Sequence, residues 1–360
     1  MSSARDRQRP HIAVPLVPVS GPVNFALAWR FGGLVSRPGP PAQSDEVAAI
    51  TQDLKMAARR ALFYVSEITG WTDAAAEAST APILVLDRPG FIRANTQIIE
   101  SLAPHVMPEK APWPARQAAG FQIGTILAAL SARILGQFDP FARPSGRLLL
   151  VAPNVLRFER LLDVPSADFR LWVTLHEQTH AVQFAAAPWL PGWLSAQLGE
   201  IAQAAQDDDE SRLPELLRLA REIPKSLKEN APTSPLTEVL PERAREALAR
   251  LTATMSLLEG HADVVMDGVG PRVVRSVEEI RSKFDARRVA SGRLERAVRR
   301  LAGLEAKTAQ YIEGAQFIRG VLAEVGHEGL AAAFAAPENL PHPTELDDPH
   351  AWVTRVHRPT

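Results

Sequence analysis

The 360-residue sequence contains no cysteine. This absence excludes disulfide bonds, zinc sites built from thiolates and catalysis by a cysteine nucleophile. Any bound zinc must therefore be held by His, Asp or Glu side chains. A chain that cannot form disulfides also fits a reducing compartment, so we expect a cytoplasmic location.

The sequence also lacks an excess of charge and a long apolar run. Its formal net charge is −1, which predicts neither a nucleic-acid partner nor an anionic membrane as partner. No apolar stretch reaches the roughly 18 residues that a membrane-spanning helix needs, and no apolar signal-peptide core follows the polar N-terminus. With 46% hydrophobic and 22% charged residues, the composition predicts a soluble globular protein of unknown oligomeric state.

The distribution of Pro and Gly predicts one large domain between two irregular ends. Residues 1–45 are rich in both and are predicted to form an extended N-terminal segment. Residues 46–336 are predicted to form the domain, within which the acidic and Pro-containing stretch 206–242 is either a lid over a cleft or a variable helical excursion. Residues 337–360 are predicted to be a polar tail that packs on the domain.

Apolar periodicity predicts that the domain is mainly α, with an α+β character given by a small β-sheet. Two short apolar runs bounded by turn residues predict strands at 82–87 and 147–152. A long apolar helix is predicted over 114–135, with Gly136 as its stop signal. The other predicted helices cover 44–68, 92–102, 154–162, a segment beginning near 166, 192–205, 241–267, 276–300 and 302–325.

An HExxH motif, His176-Glu-Gln-Thr-His180, is the most informative stretch of the chain. Residues four apart share a helix face, so His176 and His180 can direct ring nitrogens at one metal ion. Glu177 lies about 100° further round the helix, where it can take a proton from a metal-bound water. The alternative is a pair of core histidines with satisfied hydrogen bonds. The apolar flanks of the motif disfavour that alternative, because buried polar groups are costly unless paired or metal-bound.

Zinc held by two histidines needs a third protein ligand. The extended HExxHxxGxxH motif cannot supply it, because Gln183 stands where that motif has Gly. Glu259 is the favoured candidate on another predicted helix. Asp263, one turn later, is predicted to accept the outer N–H of a ligating histidine. His261 lies about 200° round the helix from Glu259 and remains a competing ligand, and Asp263 could instead pair with an arginine.

Tyr311 is the candidate for stabilising the oxyanion of a tetrahedral intermediate. It is one of only two tyrosines, and it lies in a polar block of an otherwise amphipathic predicted helix. The alternative is a tyrosine whose ring packs in the core and whose hydroxyl is satisfied there, which is the commoner arrangement.

Four motifs in combination resemble the actinobacterial zincin-like metallopeptidase family over about residues 22–356. Its members are described as predicted hydrolases or as coenzyme F420 biosynthesis-associated proteins. The resemblance implies a zincin-like helical domain and supports the assigned roles of the HExxH residues, but it implies no defined substrate. The motifs are the HExxH helix with the following Pro188-Trp-Leu190, the block Glu259-Gly-His-Ala-Asp263, Leu135-Gly-Gln-Phe-Asp-Pro-Phe141 and Lys307-Thr-Ala-Gln-Tyr-Ile-Glu-Gly314.

The resulting hypothesis is a zinc-dependent hydrolase, a metallopeptidase acting on a peptide or amide substrate with Glu177 as general base. One alternative is a zincin-fold binding or scaffold protein in which four protein ligands close a structural zinc site. Another is a non-peptidic amidohydrolase. A peptidase needs a strand edge with which the substrate can pair, and two predicted strands give little indication of one.

Overall fold

The computed structural model describes residues 21–207, 240–290 and 308–358. The fold is mainly α with a small β-sheet, which confirms the predicted fold class. The strands are β1 (Ile83–Leu86), β2 (Gly136–Asp139) and β3 (Arg147–Val151). The helices are α1 (Phe25–Val35), α2 (Ser44–Thr69), α3 (Thr72–Ala78), α4 (Arg88–Val106), α5 (Trp113–Ser131), α6 (Ala152–Leu162), α7 (Ser166–Ala186), α8 (Leu190–Asp207), α9 (Glu242–Gly268), α10 (Gly270–Val273), α11 (Val277–Ala290), α12 (Thr308–Leu330), α13 (Ala332–Ala335) and α14 (Pro349–His357), with 3₁₀ turns at Pro337–Asn339 and Pro343–Glu345.

The sheet has the strand order β1-β3-β2, with β1 parallel and β2 antiparallel to the central strand β3. Strand β3 is almost entirely buried, as its run of Leu and Val predicts. Strand β2 is absent from the sequence prediction, which ends a helix at Gly136. The structure instead ends α5 at Ser131 and begins β2 at Gly136.

Helix α1 corrects the prediction of an extended segment over residues 1–45, which is wrong for residues 25–35. Asn24 caps this helix by accepting a hydrogen bond from the N–H of Leu27 at 3.0 Å. The backbones of α1 and α5 approach closely, because a Cβ on Gly32 would lie only 2.7 Å from the carbonyl oxygen of Gly124. A helix that depends on such a partner is not visible in local composition, where its glycines favour a loop.

Helix α7 lies at the centre of the fold, where it contacts α2, α3, α9 and β2. Apolar side chains surround it on several sides, as expected for a helix buried within a domain. Helix α9 joins two hydrophobic cores. Its Val265 and Met266 pack in the core of α2, α7 and the sheet, whereas Leu257 and Leu258 pack in the core of α8 and α12. Glu259 therefore lies on α9 between two well-packed regions.

Helices α9 and α12 are in backbone contact through a pair of glycines. A Cβ on Gly260 would overlap the carbonyl group of Gly314, and a Cβ on Gly314 would lie 2.5 Å from the carbonyl oxygen of Ser256. Only glycine permits this approach, which fixes α9 against α12 one residue after Glu259.

Parts of the predicted segments lie outside the described residues. Most of the predicted lid or helical excursion at 206–242 is among these parts, so that interpretation stays a prediction. The described part of the C-terminal tail packs on the domain, with Trp352 fully buried beside Phe317. Among the described residues, no helix is long and apolar enough to cross a membrane.

Candidate metal centre

The structure brings together His176 and His180 of α7 and Glu259 of α9. The Nε2 atoms of the two histidines are 3.1 Å apart. Glu259 lies across from them, with Oε2 3.4 Å from His176 Nε2 and Oε1 3.7 Å from His180 Nε2. One ligand atom from each residue lies within 4.8 Å of the other two. In the described part of the chain, this is the group of side chains that could hold a metal ion.

The spacing of these atoms fits a zinc ion. Zinc binds nitrogen and carboxylate oxygen at about 2.0–2.2 Å with tetrahedral geometry, which separates two ligand atoms by roughly 3.4 Å. The three measured separations of 3.1, 3.4 and 3.7 Å bracket that value. Two imidazoles and one carboxylate are also the ligands of many catalytic zinc sites, which keep a fourth position open.

The hydrogen-bond partners of the histidines explain why their Nε2 atoms face each other. His176 Nδ1 lies 3.3 Å from the sulfur of Met266, and His180 Nδ1 lies 2.9 Å from Oε1 of Gln183. Both partners are acceptors, so each neutral ring carries its hydrogen on Nδ1 and a lone pair on Nε2. Two lone pairs and a carboxylate therefore converge, an arrangement that is repulsive unless a cation or a proton is shared among them.

The electrostatics of the cluster favour positive charge. Burial lowers the pKa of His176, but the hydrogen bond and charge of Glu259 outweigh burial and raise that pKa to about 9. Burial dominates at His180 and lowers its pKa, although Glu259 opposes this shift. The two adjacent rings thus do not both hold a proton easily, whereas one divalent ion would satisfy both lone pairs.

Glu177 lies between the metal-ligand cluster and strand β2. Burial raises the pKa of its carboxyl group to about 7, against the opposing effects of the His176 charge and a backbone hydrogen bond from Phe138. Gly136 makes this position possible, because a Cβ there would lie 2.7 Å from Glu177 Cγ and 3.0 Å from Oε1. Strand β2, which the sequence prediction missed, therefore contacts the predicted general base directly.

Strand β2 presents part of its backbone away from the sheet. Its register begins with the N–H of Val151 donating to the carbonyl of Leu135 at 2.9 Å. Antiparallel pairs alternate between bonded and non-bonded, so the backbone groups of Gly136 and Phe138 point away from β3. In the described ranges, no other strand pairs with this outer edge.

Two residues of the Glu259 block have surroundings that differ from those predicted. Asp263 does not contact a ligating histidine; its Oδ1 lies 3.7 Å from Arg281 Nη2, which is the alternative that the sequence left open. His261 is fully buried, and its Nδ1 lies 3.1 Å from Nε2 of Gln183. Burial lowers the pKa of His261 to about 3, and its ring packs on Trp71 at a centroid distance of 5.0 Å.

Gln183 contacts His180, a predicted metal ligand, where the sequence predicts a contact from Asp263. The sequence could have indicated this contact, because Gln183 lies three residues after His180 and so shares its helix face. Tyr311 lies in α12, but its side chain is outside the described residues. Its predicted role as an oxyanion donor stays a prediction.

A family model described as zincin-like metallopeptidase matches residues 23–353. No curated protein sequence matches the chain. A crystal structure from Chloroflexus aurantiacus, described as that of a "putative hydrolase with a novel fold", is similar with a TM-score of 0.64 and 24% sequence identity, over 94% of this chain and 100% of the other. At that identity the likeness establishes a common fold.

Proposed function

The chain belongs to the zincin-like metallopeptidase family, and from that membership we propose that it is a zinc-dependent hydrolase of peptide bonds. The observation that carries the proposal is the convergence of two histidine Nε2 atoms and a carboxylate beside a buried glutamate. His176, His180 and Glu259 would hold the metal, and Glu177 would be the general base. Bound zinc would supply a Lewis acid and lower the pKa of a coordinated water toward neutrality.

Glu177 is suited to accept and return a proton. Its carboxyl group lies beside His176 and is held by the backbone hydrogen bond from Phe138. Buried carboxylates with pKa values near neutrality are effective general bases, because they can both take a proton and release it. In this role Glu177 removes a proton from the attacking water and delivers it to the leaving amine.

The outer edge of β2 supports a peptide as substrate. An extended peptide can bind by adding a strand to an exposed sheet edge, with main-chain hydrogen bonds supplying affinity. The outward-facing N–H and carbonyl of Gly136 and the outward-facing carbonyl of Phe138 lie next to Glu177, which itself accepts the hydrogen bond of the Phe138 N–H. A substrate paired there would place a peptide bond beside the general base. A scaffold protein with a structural zinc does not need this arrangement.

The finer expectations from the sequence are part of the proposal. A cytoplasmic setting is supported by the absence of cysteine. An association with coenzyme F420 biosynthesis would favour the alternative of a non-peptidic amide substrate. The strand edge favours the peptide, because a small amide has no extended backbone to pair with it.

The proposed function is tested by metal content and by proteolysis of a denatured protein mixture, with cleavage sites read by mass spectrometry. Purified protein should contain about one zinc per chain. Glu177→Gln should retain the zinc and lose hydrolysis by roughly 10²–10⁴-fold, the usual contribution of a general base. A protein without zinc, or a Glu177→Gln variant with full activity, would contradict the proposal. Release of ammonia or amines from small amides, without peptide cleavage, would favour the amidohydrolase.

A further inference from the structure

We propose that Gln183 is a positioning residue that fixes the tautomer and orientation of His180, and that His261 holds the Gln183 amide in place. This inference rests on the proposed metal site and concerns residues that are not themselves ligands. It replaces two expectations from the sequence, namely that Asp263 orients a ligating histidine and that His261 competes as a ligand.

The orientation of the Gln183 amide follows from the backbone of α9. Its Nε2 lies 2.9 Å from the carbonyl oxygen of Leu258. A carbonyl oxygen only accepts hydrogen bonds, so the amide nitrogen, not the amide oxygen, must face it. The amide oxygen then faces His180 Nδ1 at 2.9 Å. That oxygen can only accept, so the hydrogen of neutral His180 is on Nδ1 and its Nε2 carries the lone pair directed at Glu259 and His176.

His261 completes the hydrogen bonds of this amide. The second hydrogen of Gln183 Nε2 is directed at His261 Nδ1 at 3.1 Å, which requires an unprotonated Nδ1. The hydrogen of His261 is consequently on Nε2, which is buried and has no hydrogen-bond partner. An unpaired buried N–H is destabilising. A histidine that served only to fill space would be replaced at a gain by an apolar residue, so its acceptor Nδ1 accounts for its presence.

The Gln183 amide links the two helices that supply the ligands. Gln183 and His180 belong to α7, whereas Leu258 and His261 flank Glu259 on α9. The amide of Gln183 makes three hydrogen bonds. One is to the proposed ligand His180, and the other two are to residues within two positions of the proposed ligand Glu259. The direction of His180 Nε2 is therefore fixed relative to the backbone of α9, which carries Glu259. Residues that orient metal-bound histidines commonly contribute 10–100-fold to metal affinity.

A merely structural role is the competing explanation, because Gln183 also ties two helices together. Gln178 provides a matched control on the same helix. It is buried, and its Nε2 donates to the carbonyl oxygen of Ala58 at 3.0 Å, which ties α7 to α2 without touching a ligand. Gln178→Met and Gln183→Met each remove one buried amide with little change in volume.

The test measures zinc affinity by competition with a chromophoric chelator and thermal unfolding of the metal-free proteins. Gln183→Met should bind zinc about 10–100-fold more weakly than the unsubstituted protein. Gln178→Met should bind it with unchanged affinity, although both variants unfold at lower temperature. Equal zinc affinity of Gln183→Met and the unsubstituted protein, or an equal loss in Gln178→Met, would overturn the inference.

A second readout does not need zinc. Nitrogen-15 spectra of the metal-free protein, labelled at histidine, report which ring nitrogen of His180 is protonated. The Nδ1–H form should dominate in the unsubstituted protein and in Gln178→Met, whereas Gln183→Met should contain both tautomers. If the unsubstituted protein binds no zinc but the tautomer depends on Gln183, the proposed function fails and the positioning role survives. A His180 tautomer that is the same in all three proteins overturns the positioning role.

His261 is tested by two substitutions with opposite expectations. His261→Asn keeps an acceptor oxygen near the place of Nδ1 and should retain most of the zinc affinity. His261→Phe keeps the ring but removes the acceptor, and should weaken zinc binding in the direction of Gln183→Met. An equal loss of zinc in His261→Asn, His261→Phe and His180→Ala would identify His261 as a ligand and overturn its assignment as an anchor.

Discussion

Helix α7 buries polar side chains at two places, less than two turns apart, and the two places differ in how their hydrogen bonds are satisfied. Near the start of the helix, Arg170 donates to both oxygens of Glu159, at 3.0 and 2.7 Å, and pairs with Asp53 of α2. Glu159 is almost fully buried. Donors meet acceptors, and positive charge meets negative charge.

The second place is the His176–His180 pair, where acceptors meet acceptors. Both Nε2 lone pairs and the carboxylate of Glu259 point to one volume. The Arg170 cluster is complete within the protein, whereas the histidine cluster needs a bound cation or a shared proton. Such local conflicts are retained at functional sites, where a ligand resolves them. One helix thus carries a cluster whose charges are paired within the protein and, further along, the cluster proposed to bind the metal.

The largest expected effect is the loss of metal on removal of a ligand. His180→Ala should weaken zinc binding by roughly 10²–10⁴-fold, if one ligand of three carries about a third of a binding free energy of about 10–16 kcal/mol. The substitution also removes the hydrogen bond to Gln183, so the metal-free variant should be somewhat less stable than the metal-free parent. Zinc titration and urea unfolding measure the two quantities. A variant that keeps its zinc would remove the distinction between the two clusters.

The opposite pattern is expected at the start of α7. Arg170→Met leaves Glu159 buried without its partner, which should cost about 3 kcal/mol of unfolding free energy, with zinc affinity unchanged. Arg160→Met is the control, because Arg160 and Glu46 form an exposed pair whose loss should cost less than about 1 kcal/mol. Urea unfolding of the metal-free proteins gives both values. Zinc affinity that fell with Arg170→Met would mean that the two clusters are coupled.

Strand β2 gives a test on the catalytic side alone. Gly136→Ala should displace Glu177, since the added Cβ would lie 2.7 Å from its Cγ. A displacement of about 1 Å can cost roughly 10²-fold in turnover, while the three ligands should hold zinc as before. Gly192→Ala is the control, because a Cβ there meets nothing within 4 Å. The measurement is the cleavage rate of each variant at saturating zinc. Equal rates for the two variants would show that β2 does not position Glu177.

The smallest effect is a pH dependence at a third cluster, in the C-terminal region. Burial raises the pKa of Glu345, but hydrogen bonds from Arg355 and from the N–H of His342 outweigh it, so the pKa is lowered on folding. A lowered pKa stabilises the fold above the unfolded value of about 4.3, and this stabilisation is lost as the pH falls below it. The stability difference between the parent and Glu345→Gln should therefore shrink between pH 6 and pH 3 in urea unfolding. A constant difference would show that the ion pair contributes nothing to the pH dependence.

The parts of the site that follow from helical spacing were predictable. The relation of His176 to His180 is a property of one helix, and the i,i+4 spacing of Glu259 and Asp263 marks a candidate face on another. The contact of Asp263 and the contacts that Gln183 makes with α9 were not predictable, because they depend on how α9 is rotated against α7. That rotation follows from packing in two cores on either side of Glu259, and no local pattern encodes it.

The missed elements of the fold have similar causes. Strand β2 is only four residues long, too short for a period, and it begins with a glycine that also fits a helix stop signal. Helix α1 contains glycines that are unfavourable for a helix in isolation and favourable against α5. In both places a glycine that reads locally as a break is used for close contact with another element.

The glycine pair between α9 and α12 has a consequence for mutational data. The position of Glu259 depends on Gly260 and Gly314, whose substitution would push the two helix backbones apart. A saturation screen for loss of function should therefore score these two residues as severely as the ligands, although neither has a side chain to contribute. A survey that seeks active sites by side-chain chemistry would overlook both, and the screen would detect them as a sensitive pair about 50 residues apart in sequence.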